Sequence, residues 1–249
     1  MSQSLLASPR FKVFSIHLCG SALVALAMLL LVFWVWYPAP LHEAVGVTSI
    51  FMLLLGVDVI IGPLLTLLVF KVGKKTLVFD MAVILLLQFS AFAYGVWTVA
   101  EGRPAWLVFN VDRFDVVRAL DIDDRRIEHA LPEYRVASFM GPQWVAADSP
   151  ADPELRQALI FEATTGGSDL PQRPDLYRPL SDMASSIKER AMPLERLSLF
   201  NDSKRVSAVL DQWKEADAWM PLMAGASPMV VLIRRETAGV IAIVDLQPW

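Results

Sequence analysis

One stretch limits what this chain can become: Val45 to Phe70, VGVTSIFMLLLGVDVIIGPLLTLLVF, whose single charge is Asp58. A hydrocarbon core about 30 Å thick takes roughly 20 apolar residues at the helical rise, so the run predicts one membrane-crossing helix. Asp58 then falls near mid-depth, where a carboxyl costs about 3 kcal/mol on insertion scales unless it faces protein or water. Turning about 100° per residue puts Phe51, Asp58, Gly62 and Thr66 on one stripe, small and polar where another helix can approach. Pro63 has no N–H, so the carbonyl of Val59 loses its intrahelical partner and a kink is expected there.

Two more apolar runs flank this one. The first, about residues 11 to 37, follows Arg10 and includes Lys12, but it is far longer than the roughly 7–15 apolar residues of a secretory signal. It ends in Phe33, Trp34, Trp36 and Tyr37, which read as an interfacial aromatic belt rather than a cleavage site. The third covers about 77 to 99. Residues 1 to 100 carry five basic and three acidic side chains of the chain's 22 and 26, so a sparsely charged membrane part (1–103) precedes an acidic soluble part (104–249). Basic residues lie before the first span and in the KVGKK loop, which predicts a cytoplasmic N-terminus and an exported, periplasmic C-terminal domain. Cys19 is the only cysteine and lies within the first span, so the exported part is expected to fold without disulfides.

From Ala105 the pattern changes to short strands and amphipathic helices. AWLVFNV and FDVVRAL read as strands, and YRVASFMGPQWVAA as strand material broken by Gly141-Pro142. Helices are expected over about 153–163, 181–191 and 202–216, with the proline-rich 166–182 segment as an extended loop between the first two. The closing run PMVVLIRRETAGVIAIVDLQPW predicts a hairpin turning near Gly239. The fold class expected is three transmembrane α-helices followed by an α+β domain with an antiparallel sheet.

Chemistry-bearing residues are few. Asp58 is the candidate for meeting a polar group of a partner helix, or for titrating; the alternative is an acid hydrogen-bonded inside the chain's own bundle. His17, near the cytoplasmic end of the first span, is too far in depth to be expected to pair with it. Gln88, Gly95, Ser90, Tyr94 and Thr98 are candidates for bonds and contacts between helices. In the exported half, Asp112, Asp115, Asp121, Asp123, Asp124 and Glu128 lie in a run whose interleaved arginines favour self-pairing over a metal site. No phosphate loop, dinucleotide fingerprint or nucleophile elbow is present, and the net charge of −4 argues against nucleic acid. No cofactor is expected.

Three segments taken together, GVDVIIGPLLTLLVFK, LVFDMAVILLLQFSAFAYGVWTVAEGRPAWLVFNVDRFDVV and VVLIRRETAGVIAIVDLQPW, resemble the TfpX/TfpZ family of type IV pilin accessory proteins. The resemblance implies a non-enzymatic inner-membrane protein that works with a major pilin. Asp58, Gly62, Pro63, Asp80, Asp112 and Phe114 are the positions that match the family's pattern. The resulting expectation is a factor contacting pilin through Asp58, Gly62, Pro63 and Thr66 in the bilayer and through the periplasmic sheet outside it. A membrane-bound pilin-modifying enzyme, glycosyltransferase-like, is the alternative.

Overall fold

A computed structural model describes residues 8–249. Their contacts divide into two compact units: the residues through Val35 with Val47–Glu101, and Trp36–Gly46 with Gly102–Trp249.

The first unit holds three helices long and apolar enough to cross a membrane. Helix α1 (Pro9–Leu30) starts at Ser8, whose hydroxyl accepts from the Phe11 amide at 3.3 Å, with Pro9 at the position where a missing N–H costs nothing. It continues as a wider π-wound segment, Leu31–Trp36. The segment Trp36–Gly46 contains the short helix α2 (Leu41–Val45). Helix α3 (Val47–Val69) runs on through Pro63, and α4 (Leu77–Glu101) follows the Lys71–Lys75 loop. Within this unit α3 packs against both α1 and α4. Phe33 meets Phe51 edge-on at 5.8 Å between α1's continuation and α3, and a side chain at Gly95 would overlap Leu54 between α3 and α4. Small residues thus permit the close approach that helices need where water supplies no driving force. Leu23, Leu53 and Leu86 point outward and exposed, as lipid-facing side chains would.

The second unit is built on one eight-stranded sheet. Its strands are β1 (Pro104–Asn110), β2 (Arg113–Arg118), β3 (Gln143–Ala147), β4 (Tyr177–Arg178), β5 (Met192–Pro193), β6 (Ala218–Met223), β7 (Met229–Arg234) and β8 (Gly239–Val244). The order is β4-β3-β1-β2-β6-β7-β8, with β5 also on β6. The expectation of an antiparallel sheet is corrected here: the sheet is mixed, with β1 parallel to β3 and β2 parallel to β6. The physical reason is connection length. Tight turns tie β1 to β2 and β6 through β8 into antiparallel neighbours, whereas the long excursions after β2 bring the chain back to run alongside an earlier strand in the same sense.

The closing hairpin pairs β7 with β8. Its left-handed residue is Ala238, at φ 56°, and Gly239 already pairs with Arg234. The helix expected over 153–163 is α5 (Pro153–Thr164), capped by Asp152, whose Oδ1 accepts from the Glu154 amide at 2.9 Å. The next is a single turn, Leu180–Met183, leading into α6 (Ala184–Arg190). The last, α7 (Ser203–Leu210), is capped by Asp202 and ends earlier than its apolar spacing implied. Residues 166–182 are not an extended loop. Two tight turns, Leu170–Gln172 and Pro174–Leu176, fold them against the sheet before β4.

Both faces of the sheet are covered. Met229, Val231 and Ile233 of β7 point into one core with Leu107, Phe114 and Ile187, while Val230 and Leu232 point into another with Trp219 and Leu197. Leu41 and Ala44 belong to the first of these cores. The Ala44 carbonyl accepts from the amides of Ala226 and Ser227 at 2.9 and 3.1 Å, and Gly46, at φ 78°, lies so near Ala226 that a Cβ there would crowd it. The segment between the first two apolar helices is therefore an integral piece of the sheet unit.

Candidate functional site

The polar residues of the apolar helices gather around α3. Gln88 of α4 is the hub: its Nε2 donates to the Asp58 carbonyl at 3.0 Å and to Ser21 Oγ of α1 at 3.2 Å. Its Oε1 is buried against Gly62 and has no hydrogen-bond partner among the described residues. One turn further on, His17 Nδ1 and Thr66 Oγ1 share a 2.7 Å hydrogen bond between α1 and α3. The Arg10 guanidinium closes the C-terminal end of α3 by donating to the carbonyls of Leu67 and Leu68, groups that no helical N–H can reach.

Of the four residues expected to meet a partner, Gly62, Pro63 and Thr66 are buried among this chain's own helices, and Thr66 is fully covered. Asp58 is half-buried and borders two cavities. One, about 280 Å³, lies between α1 and α4 over α3 and is lined by His17, Gly20, Ser21 and Val24 with Gln88 and Phe92. The other, about 210 Å³, lies between α3 and α4 and shares Asp58, Gln88 and Phe92. His17 bonds Thr66 and borders the same cavity as Asp58. Among the residues of α4 expected to bond across helices, Gln88 does so, whereas Thr98 donates to the Tyr94 carbonyl of its own helix. A glutamine at mid-depth in an apolar run is the sequence signal for this hub; the role of Gly62 in making room for it depends on which helix faces meet.

The family-patterned residues outside this cluster have structural surroundings. Asp80 pairs with Lys74 at 2.8 Å and accepts from Thr76 Oγ1 at 3.0 Å, fastening the start of α4. Phe114 is fully buried and edge-on to Trp144 at 5.1 Å. Asp112 sits in the β1–β2 turn beside Val111, a non-glycine residue at φ 58°.

The acid-rich run of the sheet unit pairs with its own arginines. Asp123 accepts from the Arg125 amide and Nε at 3.0 and 2.9 Å, and Arg125 also reaches Glu162 of α5. Arg173, itself buried, bonds Asp175 at 3.0 Å through two nitrogens and lies near Asp123 and Glu162. The Arg125 hydrogen bonds hold the Asp123 carboxyl well below the usual carboxylate range. Burial acts the other way at Asp115, whose carboxyl is raised despite Arg113 beside it. Among the described residues no three His, Cys, Asp or Glu side chains converge as a metal cluster would.

Fold and site together define a membrane-associated chain, three apolar helices with a polar cluster inside them and a mixed-sheet unit closed by the first loop. The sequence profile of the family described as Fimbrial assembly protein FimB matches residues 6–46, the first helix and the segment after it. A fimbrial assembly protein of serogroup I from Dichelobacter nodosus is 30% identical over 246 residues, covering 96% of this chain and 95% of that one. The serogroup E1 protein of the same organism is 35% identical over 185 residues, 74% of this chain and 72% of the relative. A third, of serogroups C1 and C2, is 36% identical over 113 residues, 45% of this chain and 86% of its own. This chain belongs to the fimbrial assembly protein FimB family. No solved structure matches it.

Proposed function

We propose that this chain is a non-enzymatic accessory factor for fimbrial biogenesis, seated in the inner membrane with its N-terminus cytoplasmic and its sheet unit periplasmic, and acting on a type IV major pilin. Family membership supports the role in fimbrial assembly, since the relatives carry that name. The resemblance of the second and third spans and the C-terminal hairpin to TfpX/TfpZ proteins supports the finer reading of a pilin-specific partner. The basic residues Arg10 and Lys12 in the first turn of α1, and Lys71, Lys74 and Lys75 between α3 and α4, support the orientation.

The observation that carries the mechanism is the position of Asp58: a carboxyl-bearing residue half-open to a cavity between α1 and α4 whose other walls are apolar or small apart from His17 and Gln88. A client that waits in the bilayer as a single apolar helix can lie along that cavity and direct a polar group at Asp58. Gly62, Pro63 and Thr66 act behind it, by letting Gln88 and His17 fix the three helices around the opening. The sheet unit contacts the client outside the bilayer.

The test is co-purification of the major pilin with the full chain, together with surface pilus abundance and intact pilin mass, for wild type, Asp58→Asn and Asp58→Leu. Loss of co-purified pilin and of pili, at unchanged pilin mass and unchanged level of the variant, is expected. Wild-type behaviour in both variants would overturn the Asp58 mechanism, and a discrete mass change in pilin from cells lacking the chain would replace the accessory role with an enzymatic one.

A further inference from the structure

The segment after β2 that fails to become a strand carries the clearest unassigned surface. Between Arg135 and Gly141 the chain makes irregular bends, with the Met140 amide held by Ser138 Oγ at 3.0 Å and Gly141 at φ 112°. Three large apolar side chains within five residues face outward: Val136 is 79% exposed, Phe139 54% and Met140 77%. A water-exposed loop has no use for such a cluster, and grouped exposed apolar residues mark a surface that something covers.

Two contacts say where this loop is. Phe139 packs edge-on against Trp36 at 5.1 Å, and the Arg103 guanidinium lies over the Phe139 ring at 5.1 Å from its centre. Trp36 is the last residue of the first apolar helix, and Arg103 comes two residues after the end of α4. These are the two points at which the chain leaves its apolar helices on the same side. Chain connectivity alone therefore brings Phe139 to the plane where those helices emerge from a bilayer.

The aromatic ending of the first helix makes the same point from the other direction. Of the four residues that the sequence presents as an interfacial belt, Trp36 and Tyr37 are almost fully buried within the sheet unit, while Trp34 is exposed. Belts exist because amphipathic rings and apolar tips are favoured at the headgroup level. Exposed side chains of the same kind occur far along the chain, at Val136, Phe139 and Met140. The stretch from Arg135 to Trp144 contains no acid, and its one cation, Arg135, is exposed, held by the carbonyls of Glu128 and Ala130 at 3.0 Å each. Apolar tips beside the exposed Arg135, with Arg103 over the Phe139 ring, match the border between acyl chains and phosphate headgroups.

We propose that the Val136–Met140 loop is a membrane-contacting loop, with Val136, Phe139 and Met140 immersed at the interface of the bilayer and Arg135 at the level of the lipid phosphates. The proposal rests on the reading that the apolar helices cross the bilayer, and is independent of what the Asp58 cavity binds. The occupant is lipid rather than a protein client, because the loop is placed by two span exits.

The experiment uses the full chain with Cys19→Ser as background, reconstituted in vesicles of phosphatidylethanolamine and phosphatidylglycerol without other protein. Single cysteines, Val136→Cys, Met140→Cys, Leu199→Cys and Leu86→Cys, carry an environment-sensitive fluorophore, and nitroxide lipids labelled near the headgroup or deep in the acyl chain act as quenchers. Leu199, exposed on the sheet unit, is the water reference, and Leu86, exposed on α4, the lipid reference. Blue-shifted emission at 136 and 140, quenched several-fold more by the shallow nitroxide than at 199, is expected. Water-like emission at 136 and 140 with an immersed Leu86 site would overturn the loop assignment while leaving the membrane reading intact. Water-like emission at Leu86 as well would overturn both. Immersion of the loop only after purified pilin is added would assign the surface to a protein.

Discussion

Gln88 occupies the space that a side chain at position 62 would need, since a Cβ built on Gly62 would overlap its terminal amide. The same amide joins all three apolar helices, through Ser21 on α1 and the Asp58 carbonyl on α3. Gly62→Ala should therefore displace Gln88 and lower stability by about 1–3 kcal/mol, the usual cost of overpacking. Gln88→Ala should restore much of the loss in the double variant. Thermal unfolding of the four proteins in one detergent measures the coupling, and additive effects would contradict this contact.

Thr66→Val keeps the volume of a fully covered side chain and removes only its bond to His17. Interhelical hydrogen bonds in membranes are worth about 0.6 kcal/mol on average and about 1.7 at most. A loss within that range is expected, and His17→Ala should cost no further bond energy once Thr66 is Val. Reversible unfolding in mixed micelles, read as a double-mutant cycle, separates the bond from packing.

The Arg125 bonds that lower the Asp123 carboxyl make stability depend on pH with a definite sign. A folded-state value below the ordinary one means that the contribution is complete above about pH 4 and is lost as pH falls through the folded value. Asp123→Asn should therefore melt lower than wild type at neutral pH, with the gap closing in acid. Melting curves by tryptophan fluorescence from neutral pH down to the acid limit of solubility follow both proteins.

Leu41→Ala tests whether the segment between the first two apolar helices is part of the sheet unit's core, where Leu41 is almost completely buried beside the strands. A cost of about 2–5 kcal/mol is expected for a leucine truncated in a packed core. Limited proteolysis of the full chain should then show earlier cleavage within 102–249, far in sequence from the substitution.

How much of this was legible depended on the range of the interaction that decides each feature. The three apolar helices and the β7–β8 hairpin are set by local runs, and the sequence presents both. The parallel pairs β1–β3 and β2–β6 are set by where long excursions return, which no window of residues contains. Asp58 could be singled out by its depth, but the burial of Thr66 and Gly62 depended on which helix face meets which neighbour. Tyr37 looked interfacial because aromatic residues close an apolar run. It is instead buried, its phenol pushed well above its ordinary value by that burial, because residues beyond 100 cover it. The loop at Phe139 looked like broken strand for the same reason: its neighbours Trp36 and Arg103 are remote in sequence.

The carbonyl of Ala44 receives its two hydrogen bonds from Ala226 and Ser227, and Leu41 shares a core with β7, a strand made much later. A ribosome delivers the first of these groups long before the second. During synthesis residues 36–46 must wait, tethered at both ends by apolar helices, for a surface that does not yet exist. Contacts of such long sequence separation are slow to form and leave apolar surface uncovered meanwhile. A chain interrupted before Ala226 would lack both donors to the Ala44 carbonyl, leaving its first loop less completely covered and more open to quality-control proteases.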